Sequence, residues 1–175
     1  MEGKSLAEAA RLLGKDEWTT FFDLLAGPEV SVNPQSMNEE QKHLALRTPF
    51  VSFDTDASPT NPTTATGAHP RAFGSFPRIL AKYVREDRVI GLEEAVRKMS
   101  SLAANRLKLY DRGRIAPGMA ADLVVFDPDK IQDHASFTQP LALSTGISWV
   151  LVNGRAALRE GKVTGEMAGR VLRRR

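Results

Sequence analysis

The sequence predicts an α/β chain in two parts, and three observations carry that reading. Over residues 1–110, segments with helical spacing alternate with short strand-like runs, the pattern of βα units in a parallel sheet or barrel. From Asp111 onward glycines and prolines punctuate the chain, and β-rich runs take over through residues 111–175. Within that tail Asn153-Gly154 separates two such runs, the strongest short signal for a hairpin.

Ser5 and Glu8 form a capping box ahead of Ala9, Ala10, Leu12 and Leu13, which starts a first helix. Asp16 caps a second, Glu17 to Ala26, stopped by Gly27-Pro28. Glu29 to Asn33 alternates like a short strand. Asn38 opens a third helix, Glu39 to Arg47, closed by Pro49. Phe50 to Thr55 reads as a second strand, and the Pro-, Thr- and Ser-rich stretch from Ala57 to Pro70 as a loop.

Two more helices follow, Phe73 to Arg85 and Leu92 to Arg106. In the first, Phe76, Ile79, Leu80 and Tyr83 recur at helical spacing, and Pro77 is tolerable in its first turn. Ala121 to Asp127 reads as a largely buried strand. Ile147 to Val152 pairs across Asn153-Gly154 with Ala156 to Leu158.

The 175 residues, 42% apolar and 26% charged, fit one ordinary domain, or a small domain plus part of another. No run reaches the roughly 18 apolar residues of a membrane span, and the first residues lack the apolar core of a secretory signal. Cysteine is absent, which excludes disulfides, zinc–thiolate sites and cysteine nucleophiles and favours a cytoplasmic home. The net charge of +3 gathers in Arg170, Arg173, Arg174 and Arg175. No aromatic residues interleave with these arginines as a stacking platform would need, so neither nucleic acid nor membrane is expected as a partner.

The run from Asp111-Arg112-Gly113 through Pro117-Gly118 to Ala121-Asp122-Leu123-Val124-Val125-Phe126-Asp127 resembles the amidohydrolase superfamily, as does Val152-Asn153-Gly154. His69-Pro70-Arg71-Ala72-Phe73-Gly74-Ser75-Phe76-Pro77-Arg78-Ile79-Leu80 is similar to the corresponding region of the N-acyl-D-amino-acid deacylases. The resemblance runs from Gly3 to Leu172. It implies a partial TIM-like barrel, its last strands and helices, over residues 1–110, followed by part of a small β-sandwich over residues 111–175. Glu29–Asn33 and Phe50–Thr55 would be barrel strands seven and eight.

The same resemblance implies a metal-dependent hydrolysis of the amide bond of an N-acyl-D-amino acid. An aspartate at the end of the eighth strand would move the proton from water to the leaving amine. Asp56 matches that position. Asp54 stands where the family usually has glycine, which leaves open which carboxylate acts; two residues apart on a strand, they share a face. As loop-start residues both could instead cap the next turn.

Arg71 is the candidate for the substrate carboxylate, which a guanidinium can bind with two parallel hydrogen bonds; a surface arginine pairing with Glu or Asp is its alternative. His69 is placed beside it at the substrate, with loop packing as its alternative. Neither His69, His43 nor His134 belongs to a metal-binding motif, and a zinc site needs three or four protein ligands. Zinc is therefore expected only for the complete enzyme, held by residues outside this chain.

A complete barrel takes roughly 250 residues, more than twice the length before Asp111. The chain is accordingly expected to be a C-terminal portion, inactive alone, whose partners are the N-terminal remainder and a small N-acyl amino acid. A dihydropyrimidinase-like hydrolase and a non-catalytic interaction protein are the alternatives.

Overall fold

The structure is a computed structural model that describes residues 3–27, 30, 32, 36–65 and 69–173. Contacts divide it into two units, Met1–Ser36 and Met37–Arg175.

The first unit is a helix pair, α1 (Leu6–Leu13) and α2 (Glu17–Ala26). Both begin where the sequence predicts. Ser5 and Glu8 close the capping box, and the Asp16 side chain accepts from the Thr19 backbone, satisfying amides that a helix start leaves without partners. Gly14, at φ 63°, ends α1 in the left-handed conformation that glycine adopts without penalty. Trp18, Phe21 and Phe22 cluster on α2, with ring centroids 5.4–6.4 Å apart. The strand expected at Glu29–Asn33 lies largely outside the described residues.

The second unit begins with α3 (Glu39–Arg47), capped by Asn38. Then come α4 (Arg71–Arg78), a π-helical segment (Ile79–Glu86), α5 (Leu92–Met99) and α6 (Ser101–Arg106). Two expectations need correction here. The helix predicted from Phe73 starts two residues earlier, because His69 and Pro70 carbonyls accept the first turn's amides. Pro77 therefore lies beyond that turn. It removes one amide from the ladder, and the wider π spacing follows directly after it. The helix predicted from Leu92 to Arg106 breaks at Ser100 (φ −129°, ψ −77°), whose hydroxyl bonds back to the Val96 carbonyl at 2.7 Å. A serine bonding to its own helix in this way competes with continuation.

Four strands close the chain: β1 (Leu123–Phe126), β2 (Ile147–Val152), β3 (Arg155–Arg159) and β4 (Lys162–Val163). They form one antiparallel sheet in sequence order. Asn153 and Gly154 take φ 49° and 79° at the β2–β3 turn, the left-handed pair that matches strand twist. Glu160 and Gly161, at 50° and 75°, repeat the device before β4. Two expectations fail in the strands. β1 is not largely buried, since Val124 and Val125, consecutive residues that point to opposite faces of the sheet, are both exposed. Phe50–Thr55 joins no ladder, and among the described residues no strand pair is parallel. A strand is defined by its neighbours, and among the described residues this run has none.

Two apolar clusters flank the π-helical segment. Tyr83 packs with Leu46 and Val89, and Leu80 with Ala95 and Ile131. Ile131 is 2% exposed, and full burial of such a side chain is worth about 1.5–3 kcal/mol. Gly146 makes that burial possible. A Cβ there would lie 2.4 Å from the Ile131 Cα, and the residue sits at φ 85°.

The two sequence signatures of the tail meet through one buried side chain. Arg112 pairs with Asp122, and the other oxygen of Asp122 accepts the Asn153 amide at 2.8 Å. The chain entering the sheet is thus tied to the tip of the hairpin.

Candidate active site

The site is prepared by the end of α3. After Thr48-Pro49 the chain turns, with the Val51 amide bonded to the Thr48 carbonyl. Exposure then alternates. Val51, Phe53, Thr55 and Ala57 are half-buried, while Ser52, Asp54, Asp56 and Ser58 face out. The cause is Phe53, which packs on the Leu46–Tyr83–Val89 cluster and so turns both carboxylates to the open side.

The two carboxylates differ in their partners. Asp54 folds onto its own chain, its Oδ1 accepting from the Thr55 amide at 2.7 Å. Asp56 sits at φ 48°, in a region that aspartate tolerates better than most residues. Its Oδ2 lies 2.9 Å from Nη1 of Arg71.

Arg71 is the first residue of α4 rather than part of the preceding loop. Pro70 offers no capping side chain, and His69 supplies what is missing. Its Nδ1 accepts the Arg71 backbone amide at 3.1 Å. The same imidazole stands edge-on to Phe137, with centroids 5.2 Å apart. Burial holds the His69 pKa below its ordinary value; the Arg71 charge acts in the same direction, and Asp56 opposes both. The neutral ring therefore keeps the lone pair that caps α4.

All three predicted site residues meet in one place. Phe137, from the loop between β1 and β2, joins them; no sequence pattern marks it. That loop is held on α4 by the Arg78–Asp133 pair at 3.0 Å and by the Ser144 hydroxyl on the Phe73 carbonyl at 2.8 Å. Gly74 lies against this loop, where a Cβ would stand in ordinary contact with Asp133 and Ala135 at 3.5 Å.

The other histidines are occupied elsewhere. His43 stands edge-on to Tyr83, and His134 bonds to the Thr145 hydroxyl at 2.9 Å. Among the described residues no group of three or more His, Cys, Asp or Glu side chains could hold a metal ion. A groove lined by Lys108, Tyr110, Met119 and Val171 contains none of the site residues.

Chemically, the arrangement offers an acceptor-only carboxylate beside a guanidinium. Their side chains are 81% and 45% exposed, so both can be reached by a solute. An ion pair this wet contributes only about 0–1 kcal/mol, and a second carboxylate could displace Asp56 from Arg71.

Comparisons with known proteins identify the family. N-acyl-D-glutamate deacylase of Alcaligenes xylosoxydans xylosoxydans is 38% identical over 172 residues, which make up 98% of this chain and 34% of that protein. A solved D-aminoacylase, described with a binuclear metal center, superposes with a TM-score of 0.82 at 35% identity, covering 98% of this chain and 35% of its own. N-acyl-D-glutamate deacylase from Bordetella bronchiseptica, complexed with zinc and a phosphonate inhibitor that mimics the tetrahedral intermediate, gives 0.76 at 35% identity, covering 92% and 34%. The chain thus spans about a third of the length of these relatives. Residues 2–157 match the Amidohydrolase family, and the chain belongs to that family.

Proposed function

We propose that this chain is the C-terminal portion of a metal-dependent amidohydrolase that cleaves the amide bond of N-acyl-D-amino acids. The observation that carries the proposal is the Asp56–Arg71 pair, in which a proton acceptor stands beside a carboxylate receptor. Both relatives named as deacylases act on N-acyl-D-glutamate by name. Such a substrate offers an amide to cleave and a carboxylate to hold.

In this reading Arg71 binds the substrate carboxylate in a two-pronged contact, which releases Asp56. Water attacks the acyl carbonyl, and its proton passes to the Asp56 carboxylate. As the carbon–nitrogen bond breaks, Asp56 returns that proton to the leaving nitrogen, giving a free amine and a carboxylic acid, which loses its proton to solvent. His69 keeps Arg71 in place by capping α4, and Phe137 forms a wall beside it.

The described residues do not make up a metal centre. Zinc would be held by the remainder of the enzyme. Residues 1–110 would complete its barrel, and residues 111–175 part of its β-sandwich; the small antiparallel sheet supports the latter. A cytoplasmic home fits the cysteine-free composition.

The test is an assay of the complete protein with zinc against N-acetyl-D-glutamate, N-acetyl-D-aspartate, neutral N-acetyl-D-amino acids, their L-forms and dihydropyrimidines. Turnover of D-forms supports the proposal. Turnover of dihydropyrimidines alone would move the protein to a cyclic-amide hydrolase, and no turnover at all to an interaction protein.

A further inference from the structure

Lys98 is the most unusual residue of the second unit. It is a lysine with no exposed surface, and its ammonium reaches backbone carbonyl oxygens. Nζ donates to Leu46 O and Thr48 O, both at 2.5 Å, with Ala45 O at 3.5 Å. These are the last carbonyls of α3 and the first beyond it, where the helix dipole presents its negative end. On its other side Nζ lies 5.4 Å from the Phe53 ring, a cation–π distance.

Two neighbours continue the row. Arg97 Nη2 donates to Pro49 O at 2.6 Å, and Arg106 Nη2 to Phe50 O at 2.8 Å. Three cationic side chains of α5 and α6 therefore hold the carbonyls of Leu46, Thr48, Pro49 and Phe50. That stretch leads directly into the run that carries Asp56.

We propose that Lys98, assisted by Arg97 and Arg106, is a positioning residue that sets where Asp56 stands relative to Arg71. The inference rests on the deacylase reading for its catalytic consequence, though not for the clamp itself. An apolar side chain could fill the same volume without the cost of burying a charge. What it could not do is bind several carbonyls at once and fix the path of the segment. Phe53, gripped between the Leu46 cluster and the ammonium, transmits that path to Asp56 three residues on.

Two measurements test the clamp. In the complete enzyme Lys98→Met should lower kcat about 10–100-fold, the scale of a roughly 1 Å misplacement, with KM nearly unchanged. Lys98→Arg should recover much of the loss. Because Lys98 acts through Asp56, Lys98→Met combined with Asp56→Asn should be no slower than Asp56→Asn alone. Arg106→Met, at an exposed position, should act in the same direction more weakly, and covers the case in which Lys98→Met does not fold. Arg85→Met removes an arginine that holds the Pro128 and Ile131 carbonyls and none of residues 46–50, and should leave kcat unchanged.

The second measurement is amide hydrogen exchange on this chain, which needs no activity. Lys98→Met, or Arg106→Met in its place, should speed exchange at Arg47–Val51, for the lysine variant about tenfold, while the β2–β3 hairpin keeps its protection. Additive losses in the double variant, or unchanged exchange at Arg47–Val51, overturn the clamp. If the complete wild-type enzyme hydrolyses no N-acyl amino acid, the deacylase reading fails on its own and the exchange result decides the clamp.

Discussion

Nη1 of Arg71 meets Oδ2 of Asp56 at 2.9 Å, joining the first residue of α4 to the end of the run that follows α3. Asp54, two residues earlier, bonds instead to its own backbone neighbour. The two carboxylates share an exposed side of the chain, and only one of them reaches the guanidinium.

That difference predicts how the two aspartates behave in the complete enzyme. Asp56→Asn keeps the side chain's size and removes its basicity, so kcat should fall about 10²–10⁴-fold, the usual scale of acid–base catalysis. Asp54→Asn retains an oxygen for the Thr55 amide and should cost much less. Steady-state kinetics on both variants decide the assignment. A dead Asp54→Asn with a nearly normal Asp56→Asn would reverse it.

Arg71→Lys keeps the charge and loses the two-pronged geometry. KM for the N-acyl amino acid should rise about 10–100-fold, equivalent to losing one strong charge-assisted hydrogen bond, while kcat changes less. An unchanged KM would remove Arg71 from substrate binding.

His69 predicts a pH dependence. Its folded pKa lies below the ordinary histidine value, so the unfolded chain binds the proton more readily. The site's contribution to stability is complete above about pH 6.5 and declines as pH falls from there through the folded pKa. Protonation also removes the lone pair that accepts the Arg71 amide. Imidazole signals followed by NMR should show a titration midpoint below the ordinary value. In His69→Asn, whose side-chain oxygen can still accept, this part of the acid sensitivity should vanish.

Gly146→Ala should destabilise the second unit by more than about 3 kcal/mol, because a Cβ at 2.4 Å from the Ile131 backbone forces apart the strand and the core. Thermal or denaturant unfolding would report it. Gly165→Ala, also at positive φ but in open space, should cost only about 1–2 kcal/mol from the backbone.

The chain by itself should retain no stoichiometric zinc after dialysis and hydrolyse no N-acetyl-D-amino acid, since its described residues offer no ligand set. Metal analysis alongside the assay checks both. One tightly held zinc per chain with turnover would mean that the site is complete within these residues.

Much of this molecule is legible in local chemistry. The caps of α1, α2 and α3 are set by Ser5, Asp16 and Asn38, each bonding amides within three residues, and the β2–β3 turn by Asn153-Gly154. Such contacts need nothing from the rest of the chain, so sequence alone determines them, along with the family resemblance that marks Asp56, His69 and Arg71 as candidates. The rest depended on residues far apart in sequence. Lys98 stands three residues from Ala95 on a buried helix side, a hint without a partner until α3 arrives to offer its carbonyls. Phe137 reaches His69 only because the β1–β2 loop folds back on α4. The exposure of Val124 and the missing ladder at Phe50–Thr55 likewise reflect what neighbours a strand receives. Whether Asp54 or Asp56 would meet Arg71 was open in the sequence, because alternation places both on one side; the Thr55 amide that holds Asp54 and the left-handed backbone at Asp56 decided it.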